Sequence, residues 1–157
     1  MDWINTKSLY NIVMIHIAIM KKQWGLIPKI LEGKKVVESR WYKNKCTPWN
    51  KIKLGDILYF KNSGEKVSIK AVVTEVDQYE IKSNDQALKV MEKYAFKDLG
   101  TEKLSEDIKN YITDKKYAIF VHFKDVEKVE PFDIDKSGFG MQSAWITVNS
   151  VDEIQKA

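Results

Sequence analysis

Gly33–Tyr42 reads GKKVVESRWY. The β-branched and aromatic residues from Val36 to Trp41 favour a strand. Alternation places Val36, Glu38 and Arg40 on one face, and Val37, Ser39 and Trp41 on the other. Glu38 and Arg40 are then same-face neighbours, about 6.6–6.8 Å apart along the strand. Arg40 is the only arginine among 26 basic residues. Its planar fork makes two-point contacts with a carboxylate, phosphate or base edge that lysine cannot copy. A purely structural ion pair with Glu38 accounts for the same pattern. Lys35 and Glu38, three apart, fall on opposite faces of a regular strand. They converge only if the strand begins late or is bulged near Val36.

Upstream, Trp24, Ile27, Ile30 and Leu31 recur at three- and four-residue spacing within 21–32, which predicts a short helix. Pro28 belongs in a first turn, so the helix proper begins near Leu26 or Ile27, and Gly33 caps it. Before it, Val13–Met20 alternates around a β-branched face and predicts a buried strand. His16 on that strand is either a hydrogen-bonded core histidine or a site residue. The apolar run Ile12–Met20 spans nine residues, too few to cross a bilayer. Lys21 and Lys22 follow it with no cleavage site, so it does not read as a signal peptide. Residues 1–11 show no period and are taken as an N-terminal extension.

Downstream, Lys43–Lys53 (KNKCTPWNKIK) follows Trp41 and Tyr42 with four lysines and Trp49. Cations interleaved with aromatic rings suit single-stranded nucleic acid, the charges tracking phosphates and the rings stacking bases. The competing reading has Trp49 capping the core beneath a loop. Gly55-Asp56 opens a strand, Ile57–Lys61, which pairs through an Asn62-Ser63-Gly64 turn with a long strand from Lys66 to about Asp77. Asn84–Ala95, N-capped by Asn84 or Asp85, and Leu104–Ile112 predict helices. Tyr117–Phe123, an extended segment near Val126–Val129, and Ala144–Val148 predict further strands. Gly138 and Gly140 lack the strand–helix context and third glycine of a nucleotide fingerprint.

The 157 residues, 44% hydrophobic and 31% charged, describe one globular domain. Cys46 is the single cysteine, which excludes an intrachain disulfide; with only His16 and His122 besides, a four-ligand Cys/His zinc site is excluded too. That usage fits a reducing cytoplasm, and neither cofactor nor metal is expected. Residues 21–70 hold 13 Lys/Arg and 4 Asp/Glu, a net +9, whereas the remainder carries −5. Such asymmetry points to an anionic partner, unless it is only Lys-rich solvated surface.

Gly33-Lys34-Lys35-Val36-Val37-Glu38-Ser39-Arg40 resembles G-x-K-x-x-E-x-R, the signature of the ASCH domain, a PUA-like family. The HIAIMKKQWGLIPKILEG lead-in, Gly55-Asp56, and the later HFKDVEKVEPF and GFGMQSAW segments are similar to stand-alone bacterial and archaeal members. The resemblance implies an α+β fold, a small mixed or antiparallel β-barrel with flanking helices, over residues 12–157. It also implies a cleft between barrel and helix floored by the motif. Related PUA-like folds bind RNA or modified nucleobases, some ASCH proteins hydrolyse acetylcytidine, and at least one cleaves RNA. On the binding reading, Arg40, held by Glu38, faces a phosphate or base edge. Lys34, Lys35, Lys43 and Lys45 contact phosphates, Trp24, Trp41, Tyr42 and Trp49 offer stacking surfaces, and His16 lies on the strand feeding the region. On the enzyme reading, an amidohydrolase or ribonuclease, Lys35 with a lowered pKa is the base and Glu38 relays protons. In the acetylcytidine hydrolases a Thr stands at the Glu38 position, and a later Glu completes the site; Glu80 and Glu92 are the candidates here. A regulatory domain for a small anionic metabolite is a third reading.

Overall fold

The structure is a computed structural model that describes residues 12–140 and 143–156; the expected extension at 1–11 lies outside the described residues. Its strands are β1 (Ile15–Met20), β2 (Val37–Tyr42), β3 (Ile57–Asn62), β4 (Val67–Glu80), β5 (Tyr117–Phe132) and β6 (Trp145–Val148). Its α-helices are α1 (Leu26–Leu31), α2 (Asn84–Leu99) and α3 (Glu106–Ile112). The strands form one sheet in the order β2-β5-β4-β3-β1-β6. Only β1 and β3 pair in parallel; the other ladders are antiparallel. The fold is therefore α+β, a curled half-barrel whose β2 and β6 edges share no ladder.

The curl originates in the long β4–β5 ladder, whose register shifts between Val67 and Ile69, Lys70 and Val72, and Val73 and Glu75. Each irregularity adds twist and bends the strand. The last lets Val73 and Val76, three apart, both join the same core. Alternation along β5 then divides the interior into two layers. Ile119, Val121 and Phe123 enter the concave core with Phe60 and Trp145, closed by Leu26 and Ile30 of α1. Ala118 and Phe120 enter the opposite core, beneath Met91, Tyr94 and Ala95 of α2 and Ile108 and Ile112 of α3.

The helix starts at Leu26, where it was expected. A 3₁₀ turn, Lys22–Trp24, ends at Gly25 with φ 62°, and α1 begins directly after it. The left-handed Gly33, at φ 77°, then releases the chain toward β2. α2 runs four residues past the expected Ala95 and is N-capped by Ser83, whose Oγ accepts from the Gln86 N–H. The two extended segments expected after Tyr117 are one continuous 16-residue strand. Among the described residues no helix is long and apolar enough to cross a membrane.

Candidate functional site

β2 begins at Val37, so Lys35 lies before the strand and escapes its alternation. The Lys35 N–H donates to the Lys29 carbonyl at 3.0 Å, and the Val36 N–H to the Lys97 carbonyl at 2.8 Å. These bonds hold the segment between α1 and the end of α2. The fully buried Lys35 Nζ donates to the Val37 carbonyl at 2.7 Å and the Asp98 carbonyl at 2.9 Å. It also pairs with Glu38 Oε1 at 2.9 Å and with Asp98 Oδ1. Lys35 and Glu38 thus converge through the late strand start. Ser39, on the opposite face, donates through Oγ to Asp98 Oδ2.

Arg40 is buried with its fork turned inward. Nε and Nη2 donate to Glu38 Oε2 at 3.1 and 2.8 Å. Nη1 donates to the Ala144 carbonyl at 3.0 Å, and Nη2 also to the Ile19 carbonyl at 3.2 Å. The Ala144 carbonyl accepts from the Ile19 N–H as well. The lone arginine therefore joins β2 to the end of the β1–β6 pair, across the gap the ladders leave open. Its face lies 5.1 Å from the Trp145 ring. These hydrogen bonds engage Nε, both N–H groups of Nη2 and one of Nη1 within the fold.

The charges in this group settle unequally. Burial opposes the Lys35 ammonium, but Asp98 and Glu38 outweigh burial and raise its pKa. Burial likewise opposes the Glu38 carboxylate, yet Lys35 and Arg40 hold its pKa below the usual range. Asp98 has one cation for two charged neighbours, so burial and the Glu38 charge together push its pKa up. The expectation of a depressed Lys35 pKa is thus reversed. A protonated lysine with every donor engaged is no general base.

Above this group, between β2 and the α2–α3 layer, lies a cavity of about 190 Å³. Glu38, Ser39, Arg40 and Asp98 give it polar groups; Trp24, Trp41, Met91, Leu99, Ile108 and Tyr111 give it apolar and aromatic walls. Trp24 and Tyr111 meet edge to face, ring centroids 5.6 Å apart. Trp41 is 2% exposed and packs edge-on against Phe120 at 5.8 Å, so it is wall and not a stacking platform.

The other expected site residues lie elsewhere. Lys34 is exposed and pairs with Glu32 at 3.0 Å. Trp49 packs edge-on against Tyr117 at 5.1 Å, where Lys45 Nζ sits 5.6 Å from the same ring. Tyr42 is half-buried against the concave core, and burial pushes its phenol pKa up. Lys43 is exposed just beyond β2. His16 is buried outside the cavity lining, Nε2 2.8 Å from Asp56 Oδ2 and Nδ1 accepting from Trp145 Nε1 at 3.2 Å. His122 joins a separate group on β4–β5, 2.8 Å from Asp77 Oδ2.

The further carboxylate that meets Lys35 and Ser39 is Asp98; Glu80 and Glu92 are exposed and do not line the cavity. Ending α2 at Ala95 left Asp98 outside the helix. The signal was present, since Ala87, Met91, Ala95 and Asp98 recur at three- and four-residue spacing before Gly100, left-handed at φ 74°.

No family model and no curated protein matches the sequence. Solved structures do match. ASCH from Zymomonas mobilis superposes with a TM-score of 0.60 at 14% identity, over 88% of this chain and 90% of that one. One single-substitution mutant of the Zymomonas protein gives 0.63 at 15% identity, over 88% and 92% of the two chains. Another gives 0.62 at 14% identity, over 88% and 94%. The chain has an ASCH-domain fold, as its motif implied.

Proposed function

We propose that this ASCH-fold domain binds RNA or a modified nucleoside by taking one base into the cavity between β2 and the α2–α3 layer. The observation that carries the reading is the pairing of a polar floor with flat aromatic and apolar walls. An unstacked base offers a π-face and a hydrogen-bonding edge, the two surfaces such a site recognises. Glu38 and Asp98 supply acceptors, as does the Ser39 hydroxyl, whose proton is given to Asp98. The volume of about 190 Å³ falls below the roughly 300–1,000 Å³ of drug-sized sites, which suits one base or nucleoside. Trp24 and Tyr111, half-buried, are the stacking candidates in place of Trp41 and Trp49.

Titration of the purified protein with ribonucleosides, acetylcytidine and short single-stranded RNA, followed by tryptophan fluorescence and calorimetry, tests the reading. Binding is expected, with Trp24→Ala weakening it about 5- to 150-fold, the range base stacking supports. If the folded protein binds none of these ligands, the reading is wrong.

A second reading is favoured by one contact, the Ser39 hydroxyl on Asp98. A hydroxyl bound to a carboxylate of raised proton affinity has the form of a nucleophile with its base. Ser39 would supply the hydroxyl that Glu38 cannot, and Asp98, not Lys35, would take the proton. Turnover of acetylcytidine or RNA by the wild type, abolished in Ser39→Ala with the fold intact, would establish hydrolysis. Absence of turnover alongside binding leaves recognition as the function.

A further inference from the structure

Lys115, a residue outside every expected site, packs on Tyr111, which lines the same cavity. Its Nζ donates to the Tyr111 carbonyl at 2.7 Å and lies 5.0 Å from the centre of the Tyr111 ring. Lys21, which lines the cavity, has its Nζ 5.2 Å from the Trp24 ring. The two lysines thus sit on the two rings that meet edge to face at the cavity wall. Lys43 is brought to the same end by the β2–β5 ladder. Tyr42 pairs with Tyr117, and the Lys116 N–H donates to the Tyr42 carbonyl at 2.9 Å, so residues 43 and 115 leave the ladder side by side.

Among the described residues, none of these three lysines has a carboxylate within salt-bridge distance, whereas Lys22, Lys34, Lys53 and Lys70 each do. Burial, then repulsion from Lys43 and Lys21, lowers the Lys115 pKa, against a weaker opposing pull from Asp114. Like charges gathered without an ion-paired carboxylate cost free energy in the empty protein, and an anion relieves it.

We infer that Lys21, Lys43 and Lys115 form a phosphate subsite at the cavity mouth, so that the ligand is a nucleotide whose base fills the cavity. The inference rests on the base-binding reading above and narrows it. The two aromatic rings would separate the base from the phosphate. The phosphate belongs either to a free mononucleotide or to the backbone of a single-stranded RNA, and the chemistry at the lysines is the same.

The test compares the four ribonucleosides with their 5′-monophosphates, their 3′-monophosphates and a set of dinucleoside monophosphates. Affinities are measured by calorimetry at 50 mM and 200 mM salt. One class of phosphorylated ligand is expected to bind at least about tenfold tighter than its nucleoside, the worth of one charge-assisted contact, with the advantage shrinking at 200 mM. Preference for a monophosphate identifies a free nucleotide, and preference for the dinucleotide an RNA backbone. Lys21→Ala, Lys43→Glu and Lys115→Ala, each checked for an unchanged melting profile, are expected to reduce the nucleotide-to-nucleoside affinity ratio toward one. If nucleosides bind and phosphate adds nothing, the subsite is wrong and the base reading stands. If the ratio survives all three substitutions, the phosphate lies elsewhere and the assignment fails. If no nucleoside or nucleotide binds the folded protein, both are overturned.

Discussion

Lys35 is the residue on which the polar floor depends, because its ammonium answers two buried carboxylates at once. Lys35→Met preserves length and apolar volume but leaves Glu38 and Asp98 facing each other without that cation. Breaking a buried pair this way costs about 3–5 kcal/mol. A urea titration should show a loss of that size, and a loss below about 1 kcal/mol would mean the three groups are not coupled as described. His16 makes a separate prediction. The Trp145 N–H donates to its Nδ1, so Nε2 carries the proton and donates to Asp56. Burial dominates and lowers the His16 pKa below its ordinary 6.5, against the pull of Asp56. The unfolded chain therefore binds a proton that the folded protein refuses, and stability falls as pH drops below about 6.5 toward the folded pKa. Asp56, held low despite burial by His16 and Lys53, does not titrate in this window. Urea midpoints at pH 7.5 and 5.5 should differ in the wild type, and the difference should shrink in His16→Gln.

At the scale of elements, β2 is the strand on which the cavity is built, yet it pairs with β5 alone. Its second edge is secured by Arg40 on the Ile19 and Ala144 carbonyls, and by Val36 on the Lys97 carbonyl. Arg40→Lys keeps the charge and loses the fork, since one ammonium cannot reach Glu38 and two separate carbonyls in a plane. The expected result is faster amide hydrogen exchange in β2 relative to β4, with a global loss of about 1–3 kcal/mol from unpaired buried acceptors. Unchanged β2 protection would show that the strand does not need the link. The elements also show where reading the chain in order succeeded. β1, β2 and the β3–β4 hairpin announce themselves by alternation, and α1 by its spacing and its glycines. Where α2 ends was less legible, because Phe96 and Lys97 face solvent and interrupt the apolar stripe just before Asp98. A single carboxylate on a buried helix face looks like an ordinary helix terminus until the strand it meets is known.

For the whole molecule, the +9 carried by residues 21–70 does not act as one patch. Lys35 and Arg40 are buried and neutralised within the fold, and Lys22, Lys34, Lys53 and Lys70 have carboxylate partners. What remains near the cavity is a small group, joined by Lys115 from outside that segment. Binding of a short single-stranded RNA should therefore depend only weakly on salt, with a log–log slope of about −0.7, the value for the one phosphate that the three lysines hold. A slope near zero would remove electrostatics from the account, and one steeper than about −5 would restore the broad basic surface.

The sequence by itself determined the strand-rich α+β plan, the two faces of β2 and the closeness of Glu38 and Arg40. Those features follow from local geometry, in which neighbours along the chain are neighbours in space. Only the tertiary structure decided what these residues do for one another. It brought Asp98 from α2 onto the motif and Tyr111 from α3, with Lys115 packed on it, to the cavity wall. It also turned the arginine fork inward and kept the lysine protonated. Distances across sixty or more residues, and the loss of solvent that accompanies them, set those pKa values and partners. Neither is written in the spacing of GKKVVESRWY.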